Sequence, residues 1–358
     1  MVAAYNAADT LATTLDSLRG QIRTDWEAIV VDDGSDDGTG EMAERFAERD
    51  ARIRVLHGQR QGAAVARNVG IEQATMQWLH FLDADDWVVP SFLDQVTAVM
   101  PAAGHAVDLV YSGARRFTTD GRWVHDIYTP EPDELFPLFA RFNAFTTGAC
   151  VVRRALVLDV GGFDPALRTC QDWDLWQRVM RTTDRVAHIP SALAQYRLRQ
   201  GSASMSGEQL LADGLRVIER GHAFDPRVPN PLPRYADGAP RSQLGRAKLD
   251  FACWCAGLTL GAGRQPAALL SRLGDLDVHA EDIDLRMVAQ NIVHAATFTI
   301  PDPAATLAPA WNHLEARIRA FLLGLEERLG IEGFSGESFA AVERMVKGEK
   351  ARREATAL

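Results

Sequence analysis

The sequence predicts an α/β fold: a Rossmann-like, mostly parallel sheet flanked by helices, followed by an α-helical C-terminal region. Through roughly the first hundred positions, short apolar runs alternate with segments of helical period. The apolar runs at Trp26–Val31 and Trp78–Leu82 stop at turns rich in Asp and Gly or Asp alone. Beyond Arg241 the apolar residues fall instead at three- and four-residue steps, with no strand-like run between them.

Met1-Val2-Ala3-Ala4-Tyr5 reads as the tail of a first strand, followed by Asn6-Ala7-Ala8-Asp9 and a helix over Thr10–Gly20 carrying Leu11, Leu15 and Leu18. Trp26–Val31 is a strand ending in Asp32-Asp33-Gly34-Ser35-Asp36-Asp37-Gly38, and Thr39–Arg49 a second helix. Ile53–Leu56 is a short strand, Gly62–Gln73 a helix carrying Arg67 and Asn68, and Trp78–Leu82 a strand that stops at Asp83-Ala84-Asp85-Asp86. A helix over Pro90–Met100 follows, then a strand at Asp108–Ser112, a hairpin turn over Thr118–Trp123, loop and short helix over Pro130–Phe145, and a strand at Gly148–Val152. Strands joined by helices of that length imply right-handed βαβ units and parallel pairing. Gln171–Met180 is a helix with Trp173, Trp176 and Met180 on one face, and Tyr196–Ser204 a basic loop rich in Gly and Ser.

Composition changes at Phe224–Arg241, which holds five prolines. Residues 207–241 are expected to form a linker between a domain over 1–206 and a helical domain over 242–358. In that domain Trp311, Leu314, Ile318, Phe321, Leu325 and Leu329 form an amphipathic stripe, more often a bundle core than a partner groove. The tail ends in Lys347, Lys350, Arg352 and Arg353, which suits a solvated end better than a peripheral membrane contact.

The 358 residues carry a formal net charge of −10, which argues against a nucleic-acid partner. Phosphorylated ligands stay open, because a metal can supply the positive charge. Cys150, Cys170, Cys253 and Cys255 show no zinc spacing and read as thiols in a reducing compartment. No signal peptide and no bilayer-length apolar run is present, so the expected location is cytoplasmic, with attachment to the inner face of the membrane as the outer limit.

Two acidic clusters carry the chemistry. Asp83-Ala84-Asp85-Asp86 could merely cap the next helix; placed at the carboxyl edge of a sheet, it could hold a divalent cation with phosphate oxygens. Asp172 could be an ordinary N-cap; it could also be a catalytic carboxylate kept ionised by the helix dipole. The loop Asp33–Glu44 nearly fits a calcium-binding EF-hand, but a strand precedes it and Gly40 stands where an apolar residue is needed.

Taken in order, Tyr5-Asn6, Val31-Asp32-Asp33-Gly34-Ser35, Ala66-Arg67-Asn68-Val69-Gly70, Asp83-Ala84-Asp85-Asp86, Gln171–Trp176, and Tyr196-Arg197 with Gly201-Ser202-Ala203-Ser204 resemble the family 2 glycosyltransferases of the GT-A fold. The resemblance covers about Met1–Ser206. It implies an inverting enzyme that moves a sugar from a nucleotide-sugar donor, typically a UDP-sugar, to a carbohydrate or lipid-linked acceptor, with Mn²⁺ or Mg²⁺. It places Tyr5 against the base, Asp33 on the base imide with Asp32 beside it, and Arg67 on the diphosphate side. Asp83 would reach the ribose and the metal's waters, Asp85 the metal itself; Asp172 would be the general base and Trp173 part of the acceptor site. Relatives often carry a histidine where Arg199 stands, so Arg199 is expected to meet the diphosphate as a charge rather than as a ligand. The sequence also starts almost inside the first strand, which such relatives extend; a shortened chain or a misplaced start would account for it.

A nucleotidyltransferase is the competing enzyme, but it needs a glycine-rich basic loop where Tyr5-Asn6-Ala7-Ala8-Asp9 stands. A non-catalytic nucleotide-sugar-binding module would not need Asp85 and Asp172. A Rossmann dehydrogenase lacks its G-x-G-x-x-G here, and the absence of a Q-x-x-R-W motif argues against a processive synthase. For the C-terminal helices the expected roles are shaping the acceptor site, homodimerisation, or both.

Overall fold

The computed structural model describes residues 1–102, 106–128, 134–199, 207–274, 276–299 and 307–356. The Gly201–Ser204 loop and part of the Pro130–Phe145 stretch lie outside these residues. The chain divides into two compact units, the first made of Met1–Phe139, Asn143–Leu198 and Asp225–Ala236, the second of Ala140–Phe142, Arg199–Phe224 and Asp237–Leu358.

The first unit opens with three strand–helix repeats: β1 (Val2–Ala4), α1 (Leu11–Arg19), β2 (Ala28–Asp32), α2 (Thr39–Ala47), β3 (Ile53–His57) and α3 (Ala63–Gln73). Then come β4 (Trp78–His80), β5 (Leu82–Asp83), β6 (Trp87–Val88), α4 (Phe92–Ala102), β7 (Leu109–Phe117), β8 (Trp123–Ile127), α5 (Phe136–Phe139), β9 (Cys150–Arg153), α6 (Arg154–Asp159), α7 (Gln171–Met180) and β10 (Val186–Arg197). A four-stranded sheet runs β3-β2-β1-β5, and every pairing in it is parallel. Its buried residues Val2, Ala4, Val30 and Leu82 share one apolar core with Leu11 and Leu15 of α1. The second sheet runs β4-β9-β7-β10-β6, with β8 added along β7, and mixes parallel and antiparallel pairs.

The strand expected over Trp78–Leu82 is in fact two. β4 pairs antiparallel with β9 in the second sheet, and β5 pairs parallel with β1 in the first. The break falls at Phe81, whose ring is fully buried and meets Phe163 edge-on at 4.9 Å. Burying that ring turns the chain from one sheet to the other, and the acidic turn follows at once. β6 then returns the chain to the second sheet beside β10.

β10 is a second departure, for its twelve residues end where a basic loop was expected. Pro190 hides it from a pattern reading: the pairing with β7 shifts register between Ile189 and Ala192, which accommodates the missing N–H.

The second unit is helical among its described residues: α8 (Gly207–Gly221), α9 (Leu244–Gly261), α10 (Ala267–Leu270), α11 (Leu285–Thr299), α12 (Leu307–Leu329) and α13 (Phe334–Thr356). The expected linker over 207–241 therefore contains a full helix, α8. Its Leu210, Leu211, Val217 and Ile218 are buried. Three glycines obscure its helical signal, and one, Gly214, lets α8 approach the ring of Phe251 on α9. The expected stripe on α12 is core, with Leu314, Ile318, Phe321 and Leu325 buried.

Candidate active site

Asp83-Ala84-Asp85-Asp86 forms a tight turn closed by a hydrogen bond from Asp86 N to Asp83 O at 3.0 Å. Two hydroxyls on α1 hold it from one side: Thr10 Oγ1 donates to Ala84 O at 2.9 Å and Thr14 Oγ1 to Asp86 O at 2.7 Å. The end of β10 holds it from the other. Arg197 N donates to Asp86 Oδ1 at 2.9 Å, Arg197 Nε donates to Asp85 O at 3.0 Å, and the guanidinium lies 4.7 Å above the Trp87 ring. Arg197 was assigned no role from sequence, because its target lies more than a hundred positions away.

The three carboxylates divide by environment. Asp86 is only 4 % exposed, and burial, then the charges of Asp85 and Asp83, push its carboxyl well above the ordinary range. It therefore serves structure. Asp83 is partly exposed and accepts from Arg67 Nη2 at 2.6 Å. Asp85 is half-buried beside it. Two partly exposed carboxylates on one tight turn are the hard oxygen donors that Mn²⁺ or Mg²⁺ takes together with a diphosphate, so these residues fit the ion. Among the described residues no group of three or more His, Cys, Asp or Glu forms a ready-made cage.

Arg67 links this turn to the second acidic cluster. Its Nη1 donates to Gln171 Oε1 at 2.9 Å while Nη2 holds Asp83. Gln171 opens α7, and the next residue is Asp172. Asp172 Oδ2 accepts from Asn143 Nδ2 at 2.9 Å and from Thr147 Oγ1 at 3.0 Å; among the described residues nothing bonds Oδ1. Cys170 just ahead takes a positive φ of 57°, a conformation costly for a residue with a Cβ and often kept at functional sites.

Trp173 does not join this surface. It is 2 % exposed, and its Nε1 donates to Phe139 O at 2.6 Å. One step along a helix turns the side chain by about 100°, so the partly exposed Asp172 sends its neighbour inward. The acceptor role expected of Trp173 is corrected to that of a core anchor for α7.

Beneath α7, Asp174 is fully buried between Arg178 Nη2 at 2.8 Å and Arg227 Nη2 at 2.9 Å. Burial pushes its carboxyl up, but the Arg178 and Arg227 charges outweigh burial and hold it below the ordinary range. Arg178 also donates to the carbonyls of Val160 and Gly162. Asn68 on α3 reaches the same turn, exchanging two hydrogen bonds with the Phe163 backbone at 2.8 and 2.9 Å.

At the same carboxyl edge, just past β1, Tyr5 stands 39 % exposed with the Arg60 guanidinium 5.0 Å from its ring. Asp33 is buried and accepts from Gln61 N at 2.8 Å and Gly62 N at 2.6 Å, shaping the loop that carries Arg60. Asp32 is buried too, accepting from Ser35 N at 3.1 Å with His57 Nδ1 3.5 Å away. Both carboxylates thus build the loops at this end of the sheet. Arg199 falls in the second unit.

A parallel sheet with an acidic turn at its carboxyl edge, faced by a helix N-terminus bearing a second carboxylate, is the arrangement expected of a glycosyltransferase of the GT-A fold. The description "Glycosyl transferase family 2" matches residues 1–165. The putative glycosyltransferase EpsH of Bacillus subtilis is 36 % identical over 236 residues, 63 % of this chain and 67 % of that protein. The putative teichuronic acid biosynthesis glycosyltransferase TuaG of the same organism is 30 % identical over 203 residues, 56 % of this chain and 78 % of that one. Two further curated glycosyltransferases are matched over only 35 % and 26 % of their length. Among solved structures, Staphylococcus aureus TarS (residues 1–349, in complex with UDP-GlcNAc) superposes with a TM-score of 0.52 at 16 % identity, covering 97 % of this chain and 90 % of that one. The chain belongs to glycosyltransferase family 2, and it is an enzyme of that class.

Proposed function

We propose that this enzyme transfers a sugar from a nucleotide-diphosphate sugar, a UDP-sugar in the first instance, to a hydroxyl of a carbohydrate or lipid-linked acceptor, with inversion, in polysaccharide or glycolipid synthesis. The observation that carries the reading is Arg67. One guanidinium spans Asp83 in the acidic turn and Gln171 next to Asp172, tying the turn to the helix that bears the candidate base. The kinship with TuaG, named for teichuronic acid biosynthesis, supports a polysaccharide product.

In this reading Tyr5 offers its exposed ring to the base, and Asp32 and Asp33 shape the loops around it. Asp83 and Asp85 would hold Mn²⁺ or Mg²⁺, which when bound supplies Lewis-acid stabilisation of the departing diphosphate. Arg67 adds a fixed positive charge on the same side. Asp172 Oδ1 takes the proton of the acceptor hydroxyl while Asn143 and Thr147 fix the other oxygen. The hydroxyl oxygen bonds to the anomeric carbon as the bond from that carbon to the diphosphate oxygen breaks. Backside attack inverts the anomeric centre and needs no covalent sugar–enzyme intermediate.

Asp172→Asn keeps the size and the hydrogen bonds but cannot accept the proton. Release of nucleoside diphosphate at saturating donor and acceptor is expected to fall about 10²–10⁴-fold, the usual worth of a general base. Full activity in that variant removes Asp172 from the mechanism.

A further inference from the structure

The hairpin of β7 and β8 carries a pair of aromatic rings that the catalytic reading does not use. Trp123 is 61 % and Tyr128 67 % exposed, an unusual placement for two large rings on one short strand and its exit. A register shift between Arg116 and Phe117 puts Trp123 opposite Phe117 and Asp126 opposite Arg115. The extra residue, Val124, thereby brings Trp123 onto the face of Asp126 and Tyr128, which is how a bulge re-aims a side chain.

The two rings are also fixed. Trp123 Nε1 donates to Asp126 Oδ1 at 2.9 Å and Tyr128 Oη to Asp126 Oδ2 at 3.3 Å. Arg115 grips the same carboxylate at 2.8 and 3.1 Å and, with burial opposing it, holds the Asp126 carboxyl at about 2. The tether therefore stays charged at any working pH. Rings ordered before a ligand arrives lose little conformational entropy on binding.

The face leads to the acidic turn. Phe117, across from Trp123, packs on Trp87 at 5.0 Å; Trp87 lies under Arg197, and Arg197 Nε holds Asp85 O. Two rings of about 150–250 Å² each fall short of the roughly 800 Å² that a stable protein partner covers. They suit a sugar ring, whose C–H face lies on an aromatic face while the partly exposed Arg115 offers donors to its hydroxyls at the edge.

We infer that Trp123 and Tyr128 form the platform that seats a sugar of the acceptor saccharide. The inference rests on the glycosyltransfer reading above and names its acceptor side. It is tested on a printed array of bacterial surface oligosaccharides, probed with the wild-type enzyme, the Trp123→Ala/Tyr128→Ala double variant, and Trp123→Phe/Tyr128→Phe. Wild type retains a subset of the glycans, the alanine variant loses them about tenfold or more, as for truncated aromatic anchors, and the phenylalanine variant recovers most of the loss. Ile22→Ala, at an exposed apolar residue outside the site, retains the wild-type pattern. Equal retention by wild type and the alanine variant overturns the platform, as does a wild type that retains no glycan. Nucleoside diphosphate release from UDP-sugars in water, measured on the wild type, tests the donor side separately. If that release is absent while glycan retention depends on the two rings, the donor reading falls and the saccharide platform stands.

Discussion

Arg67 uses two separate guanidinium nitrogens, Nη2 for Asp83 at 2.6 Å and Nη1 for Gln171 at 2.9 Å. An ammonium carries its donors on a single nitrogen and lacks that pre-organised fork. Arg67→Lys is therefore expected to behave nearly like Arg67→Ala, each lowering kcat or metal activation about 10–100-fold, the range for partners that orient a ligand carboxylate. A titration of activity against Mn²⁺ for both variants checks this; a lysine variant indistinguishable from wild type would show that charge alone suffices. The acidic residues of this site were legible in the sequence because Asp and Gly turns punctuate apolar runs. Their partners were not. Gln171, Asn143, Thr147 and Arg197 are ordinary residues until the fold brings each to a partner 25 to 112 positions away. Trp173 misled for the opposite reason: it adjoins Asp172 in sequence, and a helix separates what sequence joins.

Helix α7 is held from below by a charge cluster, and its place is a matter of electrostatics as much as packing. Asp174→Asn would leave Arg178, 1 % exposed, without its counter-charge, at a cost of about 3–5 kcal/mol. Because the Asp174 carboxyl is held low in the folded state, its contribution is complete above the ordinary carboxylate range and disappears as the pH falls through the folded value. Urea denaturation should show the full gap between wild type and variant at pH 7 and a narrowing gap in acid; a gap that widens in acid contradicts the assignment. In the second unit, α9 begins against backbone. A Cβ on Gly245 would lie 1.8 Å from Leu276 O, so Gly245→Ala is expected to cost about 1–3 kcal/mol, read as a lower denaturation midpoint. Elements were legible wherever period and punctuation agreed, as in α1, α2, α3 and α9. They were obscured where a special residue served a tertiary need: Pro190 within β10, and Gly214 within α8.

On the scale of the molecule, a ligand that binds only the folded chain raises its stability by about 2.7 kcal/mol at a hundredfold excess over Kd. A UDP-sugar with Mn²⁺ is expected to raise Tm accordingly, and a panel of UDP- and GDP-sugars that leaves Tm unchanged would remove the donor reading. No described helix is long and apolar enough to cross a membrane. The acidic turn has one more consequence, in time rather than in space. It lies between strands of two different sheets and is pinned by α1, 72 positions upstream, and by Arg197, 111 positions downstream. Closing such long loops is slow beside helix formation. During refolding the helical signal should therefore return first and nucleotide-sugar binding last, making donor affinity a clock for completed assembly of the first unit: a chain still lacking its final strand can look folded by its helices and yet bind nothing.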